Sequence, residues 1–224
     1  MSKKYAVIGL GSFGASAARA LSQMGVEVIA IDRNRERVES IKDEVNSALI
    51  LDASDERALR AQDLFQCKAV ILALGDDLGE TVLVLSCLQS LGIKKILVQV
   101  EHCRERRIMQ RLGATEVIVP SEDAGLRLAQ KILMEGVREA LPMGNGYWLA
   151  TLRVPIAFVG KNLLELKLRE KFRLNVVALF SNEREGDVDR MLCRGEVDPK
   201  HTFEPDDYIG LFGKEEDVHR LLDL

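Results

Sequence analysis

The chain has 224 residues, of which 47% are hydrophobic and 29% charged, with a formal net charge of −4. That length allows one large domain or two modest ones, and the composition excludes global disorder, a collagen-like chain and a disulfide-stapled miniprotein. Neither half carries the basic excess needed to neutralise a phosphate backbone, so nucleic acid is not an expected partner.

The first half alternates short β-branched runs with helix-length amphipathic stretches. Tyr5–Ile8 reads as a buried strand, Ser12–Met24 as the following helix and Val26–Ile31 as the next strand. Asn34 is a plausible N-cap for a helix through Asp43. The same beat recurs at Ser47–Leu51, Ala69–Leu74, Ile96–Val100 and Glu116–Val119. Strands this apolar on both faces need helices on both sides, which predicts a parallel, doubly wound α/β sheet of the Rossmann type. The longest apolar run, Ala69–Leu74, is strand-sized and far short of a bilayer span. Glycines interrupt the N-terminal apolar run before it resembles a signal peptide.

Pro120 closes the sixth strand in this reading, and Ser121 is a candidate N-cap for a long helix from Glu122 to about Leu141. Its apolar positions, among them Leu126, Ala129, Ile132, Leu133, Val137 and Leu141, would form one stripe, either core or partner-facing. The break at Pro142-Met143-Gly144-Asn145-Gly146 ends it. Beyond lie strands at Tyr147–Val154, Leu174–Phe180, Val188–Cys193 and Tyr208–Phe212, with helices at Leu163–Lys171 and Lys214–Leu222. The expected organisation is a nucleotide-binding domain over 1–121, a linking helix over 122–142, and a small α+β domain over 143–224.

Gly9-Leu10-Gly11-Ser12-Phe13-Gly14 is a G-x-G-x-x-G between a strand and a helix, and Asp32 ends the next strand. Gly9 permits a tight turn, Gly11 lets a phosphate approach the backbone, and Gly14 allows close helix–strand packing. The helix N-terminus offers unpaired N–H groups to that phosphate. Asp32 can accept hydrogen bonds from a ribose diol and would repel a 2′-phosphate. Asp52-Ala53 and Gly75, after the third and fourth strands, should border the same crevice; Asp52 serves equally well as a turn or capping residue.

Chemistry beyond binding is not evident. Cys67, Cys87, Cys103 and Cys193 form no CxxC pair, which suits free thiols in a reducing compartment. His102, His201 and His219 lack metal-ligand spacing, so no metal site is expected. His201 and His219 read as surface residues without partners, and Cys193 as buried packing. No catalytic residue is assigned. A nucleotide pocket without visible catalytic groups favours a sensor over an enzyme.

The segments Tyr5–Gly14, Ile31-Asp32-Arg33-Asn34, Asp52–Asp55 and Leu112–Pro120 closely resemble the RCK domain, the regulator of potassium conductance. Gly160–Leu163 and Pro205–Gly213 resemble its C-terminal subdomain. The whole chain is similar to the KtrA/TrkA class of regulatory subunits. That resemblance implies a cytoplasmic protein, peripheral to the inner face of the membrane, that forms dimers and then rings. It would dock on a membrane-embedded potassium-translocating subunit and gate it in response to an adenine nucleotide, ATP, ADP or NAD(H). The long helix after the sixth strand would then pack on a neighbouring chain.

Carried onto this chain, the motif implies nucleotide contacts from Gly9, Gly11, Ser12, Phe13, Gly14, Asp32, Arg33, Asn34, Asp52, Ala53, Gly75 and Gln99. Three positions depart from the family pattern. Ser12 replaces a loop arginine, Gln99 a basic residue, and Ser121 an acidic residue that helps to hold Mg²⁺. Losing two cations disfavours a triphosphate more than a diphosphate, and Ser121 gives Mg²⁺ no support. Asn162, Leu163, Leu164 and Arg169 fall where some relatives bind cyclic di-AMP, in a loose match that an ordinary helix also explains. Two other readings stay open: a small NAD-dependent oxidoreductase, and an RCK-like scaffold that no longer senses nucleotide.

Overall fold

The computed structural model describes residues 3–75, 77–133, 136–185 and 188–223. The chain forms two compact units, Met1–Ala124 and Gly125–Leu224.

In the first unit, strands β1 (Lys4–Ile8), β2 (Glu27–Asp32), β3 (Ser47–Ile50), β4 (Ala69–Leu72), β5 (Ile96–Gln99) and β6 (Glu116–Ile118) alternate with helices. These are α1 (Ser12–Gln23), α2 (Arg35–Glu39), α3 (Glu56–Arg60), α4 (Leu78–Ser90) and α5 (Cys103–Arg111). The strands are all parallel in the order β3-β2-β1-β4-β5-β6. The chain leaves β1 toward β2 on one side and later fills β4 on the other, so the sheet reverses direction beside β1. Alternate side chains feed separate cores. Ala6, Ile8, Ile29, Ile31, Val70 and Leu72 pack on one face, while Val7, Val28 and Ala30 pack on the other with Ala15 and Ala18 of α1. This is the doubly wound Rossmann-type arrangement that the two-faced strands predict.

Several boundaries differ from expectation. Helix α2 ends at Glu39, not Asp43, and the Ser40 hydroxyl donates to the Arg37 carbonyl at 2.8 Å as the chain turns. Ser121 is not a cap, because the next helix, α6 (Pro120–Leu133), opens on Pro120 itself. Proline suits a first turn, where its missing N–H leaves no bond unmade.

Helix α6 does not reach Leu141. Gly136 adopts a φ of 84°, and residues Val137–Gly144 form strand β7 instead. β7 pairs antiparallel with β8 (Tyr147–Arg153) across Asn145 and Gly146. Both turn residues have positive φ, 52° and 75°, the requirement of a two-residue hairpin that Asn-Gly meets best. The expected apolar stripe is therefore divided. Leu126 and Ile132 are exposed on α6, whereas Val137 is buried in the second unit's core.

The second unit continues with α7 (Leu163–Leu166), α8 (Leu168–Phe172), β9 (Asn175–Glu185), β10 (Val188–Arg194), β11 (Tyr208–Lys214) and α9 (Glu215–Leu222). Lys167, at a φ of 49°, separates α7 from α8 where a continuous helix is predicted. The strands form an antiparallel sheet in the order β10-β9-β11-β8-β7. Among the described residues one core serves this unit, built on Ala150, Leu152, Leu179, Ile209, Leu211, Phe203, Val218 and Leu221. The α+β character of the C-terminal half agrees with its sequence.

Candidate functional site

The C-terminal ends of β1, β2, β4 and β5 surround a cleft of about 290 Å³. Its lining includes Gly9, Gly11, Ser12, Phe13, Asp32, Arg33, Ala53, Gly75 and Gln99, nine of the residues expected there.

The three loop glycines have different reasons to be glycine. Gly9 has a φ of 91°, and a Cβ on it would overlap the Ala73 carbonyl; one on Gly14 would overlap the carbonyl oxygen of Gly9. Those two residues close the loop onto β4 and α1. Gly11 has ordinary extended backbone, φ −64° and ψ −173°, and a methyl group added to it would meet nothing within 4 Å beyond its chain neighbours and its own helix. Nothing among the described residues requires a glycine there; the space it leaves belongs to the cleft. It caps α1 with no side-chain acceptor, and the first turn of that helix has no acidic residue. The uncompensated N–H groups make this end a receptor for an anion.

Asp32 is 6% exposed and couples the loop to β2. Its Oδ2 accepts from the Leu10 N–H at 2.7 Å and its Oδ1 from the Asn34 N–H at 2.8 Å. A carboxylate has about four lone-pair sites, so it retains acceptor capacity toward the cleft. Arg37 approaches Oδ2 at 3.5 Å. Arg33 pairs with Glu80 of α4 at 3.2 Å, and the Gln99 amide donates to Glu101 at 3.2 Å. Arg37, Glu80 and Glu101 were not legible as site residues. Their only sequence signal is position, in the first turn of a helix or just beyond a strand's C-terminal end.

Gly14, Asn34 and Asp52 do not line the cleft. The Asn34 side chain caps α2, accepting from the Glu36 and Arg37 N–H groups. Asp52 is exposed, and its Oδ1 accepts from both the N–H and hydroxyl of Ser54, which hold its carboxyl below the usual range. Ser121 is also outside, and the neighbouring Glu122 accepts from Arg106 at 2.7 Å. In the second unit, Asn162 and Glu165 form a capping box on α7, while Leu164 is exposed.

Two expectations about chemistry-bearing groups need correction. His201 and His219 do have partners: His201 Nε2 lies 3.0 Å from Oδ2 of the buried Asp207, brought near by the turn after Glu204, and His219 Nε2 lies 3.9 Å from Glu215 Oε1, one turn back along α9. Cys193 is exposed, not buried, because β10 is an edge strand.

Residues 5–120 match the model of the TrkA-N domain. The chain is 32% identical over 179 residues to Ktr system potassium uptake protein C of Bacillus subtilis, covering 80% of this chain and 81% of that one. It is 28% identical to Ktr system potassium uptake protein A of the same bacterium, over 97% of this chain and 95% of the relative. Among solved structures, the GsuK channel bound to NAD superposes on 97% of this chain and 38% of its own with a TM-score of 0.61 at 14% identity.

Proposed function

The chain belongs to the TrkA-N domain family, as an RCK-domain protein of the KtrA/TrkA type, and from that premise we propose that it is a nucleotide-sensing regulatory subunit of a potassium uptake system. Gly11 carries the reading: a glycine with free space about it, on the cleft wall, at an uncapped helix N-terminus. An adenine nucleotide fits this chain's residues. Asp32 would hold a ribose diol, and the α1 N–H groups around Gly11 and Ser12 would hold a pyrophosphate.

The charges in the cleft bear on which nucleotide. Arg33 and Arg37 face Asp32, Glu80 and Glu101, so the lining has one more negative group than positive. A triphosphate gains little there, and a dinucleotide or diphosphate suits it better. The protein is not an enzyme in this reading; the nucleotide acts by binding one assembled state of it more tightly than another, the only way a ligand can shift such an equilibrium.

We infer that it works as a homo-oligomer, dimers assembling into a ring, on the cytoplasmic face of a potassium-translocating membrane subunit. No helix among the described residues is long and apolar enough to cross a membrane. Leu83 of α4 and Ile108 of α5 are 60% and 47% exposed, which supports an interface between copies.

The test is calorimetry on the full chain with ATP, ADP and NAD⁺, followed by light scattering with and without ligand. Asp32→Ala should weaken binding by about 100-fold while leaving a folded protein, consistent with loss of a charge-assisted contact and its geometry. Unchanged affinity would place the nucleotide elsewhere. Turnover of NADH with any member of a carbonyl panel would favour an oxidoreductase.

A further inference from the structure

A second polar cleft, of about 300 Å³, opens within the C-terminal unit. Strand register builds it. Leu179 of β9 stands opposite Arg194 of β10, and Phe180 stands opposite Tyr208 of β11. One residue beyond that last pair, Ser181 and Asp207 come side by side. Leu179 and Ser181 share a face, as alternate residues of a strand do, and Leu179 belongs to the core. The cleft therefore cuts into the end of the second unit's core, between three strands and the loop that carries His201 and Glu204.

The groups in it are held to different degrees. Asp207 is 6% exposed, and its Oδ2 meets His201 Nε2 at 3.0 Å and the Glu204 N–H at 2.9 Å. An edge-on contact with the buried Phe203, ring centroids 5.8 Å apart, also fixes the His201 ring. An ionised carboxylate only accepts, so the proton of the His201–Asp207 bond sits on Nε2, and Nδ1 is the nitrogen left over. Ser181 contrasts with this pair. Its Oγ is enclosed and has no hydrogen-bond partner among the described residues, an arrangement that costs stability unless something else meets it.

A hydroxyl, an imidazole and the Arg194 guanidinium together make a donor set for an oxyanion. Leu179 and Phe180 give the same cleft an apolar wall, and its volume exceeds that of a bare phosphate. Nδ1 donates only when the ring carries a second proton; the enclosed Asp207 then faces an imidazolium and the ligand neutralises the other side. The remaining charged group on the lining, Glu204, is exposed and works against an anion.

We infer that Ser181, Arg194 and His201 form a binding site for a small organic oxyanion, a carboxylate or phosphate ester with an apolar body. His201, positioned by Asp207, takes up a proton from solvent as the anion binds. The site is separate from the glycine-loop cleft and does not depend on the nucleotide reading.

The chain has three histidines, so ¹⁵N-histidine labelling of the full protein gives a spectrum in which His201→Gln identifies the His201 signals. Phenyl phosphate and benzoate are the probes, with inorganic phosphate and phenol beside them. One of the two organic anions should shift the His201 nitrogens saturably, and its affinity should be about tenfold higher at pH 6 than at pH 8. Arg194→Gln should weaken it about tenfold, and Glu204→Gln should strengthen it about threefold. Ser181→Ala should weaken it about fivefold without lowering the melting temperature of the ligand-free protein, because alanine leaves no hydroxyl unpaired. A fall in that melting temperature would make Ser181 a structural residue and overturn the inference. So would the absence of a saturable shift with either organic anion, equal binding of phenol, or an affinity unaltered in Arg194→Gln.

Discussion

The two units bury their sheets differently. In the first, each central strand sends alternate residues into two cores, so Val7 and Ile8 are both fully enclosed although they face opposite ways. In the second, one core covers one face. Along β8, Ala150 and Leu152 are fully buried while Leu149 between Trp148 and Ala150 is 36% exposed. Enclosure on both faces leaves the parallel sheet only its strand ends for function, and the cleft lies there. The antiparallel sheet keeps a face available along its length.

Buried substitutions sharpen this contrast most. Ile8→Ala and Ile41→Ala, one from each core of the first unit, should each cost about 3 kcal/mol in urea denaturation. In the second unit, Ile209→Ala should cost as much, but Leu149→Ala less than about 1 kcal/mol. Equal losses at Ile209 and Leu149 would mean that the second sheet is covered on both faces too.

The loop glycines come next. Gly14→Ala should destabilise by about 2–3 kcal/mol, because its methyl must displace the Gly9 carbonyl. Gly11→Ala should change stability by no more than about 0.5 kcal/mol and still abolish nucleotide binding by calorimetry. A stability loss at Gly11 matching that at Gly14 would make it scaffold. Smaller again, Asn145→Ala should cost about 1 kcal/mol by removing a residue that tolerates positive φ in the β7–β8 hairpin.

The thiols give the mildest contrast. Burial pushes the Cys67 and Cys87 thiols up, Cys67 being the more enclosed, whereas Cys103 and Cys193 are exposed. Alkylation at pH 8 followed by mass spectrometry should label Cys103 and Cys193 first. Labelling of Cys67 before either would contradict the described burial.

How much was legible follows from the range of the forces involved. The alternation of apolar strands and amphipathic helices declares a doubly wound sheet because local periodicity and burial coincide there. The glycine loop is legible because steric limits at Gly9 and Gly14 act over a single turn, and Asp32 is recognisable by its distance from them. Helix α6 misled because Gly136 and Val137 continue a helical spacing of apolar residues. Only pairing with β8 makes 137–144 a strand, and the Asn145-Gly146 turn that permits it resembles a helix terminator in isolation. The exposure of Cys193 likewise depends on strand order, since nothing in β10 itself says that it lies at an edge.

The two-unit α/β and α+β plan, the glycine loop and the family all follow from the order of amino acids, since they rest on local sterics and periodic hydrophobicity. Long-range packing settles which side chains share the cleft. Asn34 and Asp52 carry the right chemistry, yet nearby N–H groups claim their oxygens for a cap and a turn. Glu80 and Glu101 enter because parallel crossovers place β4 beside β1 and β5 beside β4, so that the N-terminus of α4 and the end of β5 open on the same cleft. Charge balance in a site depends on neighbours distant in sequence, and Coulomb forces act across that assembled space rather than along the chain.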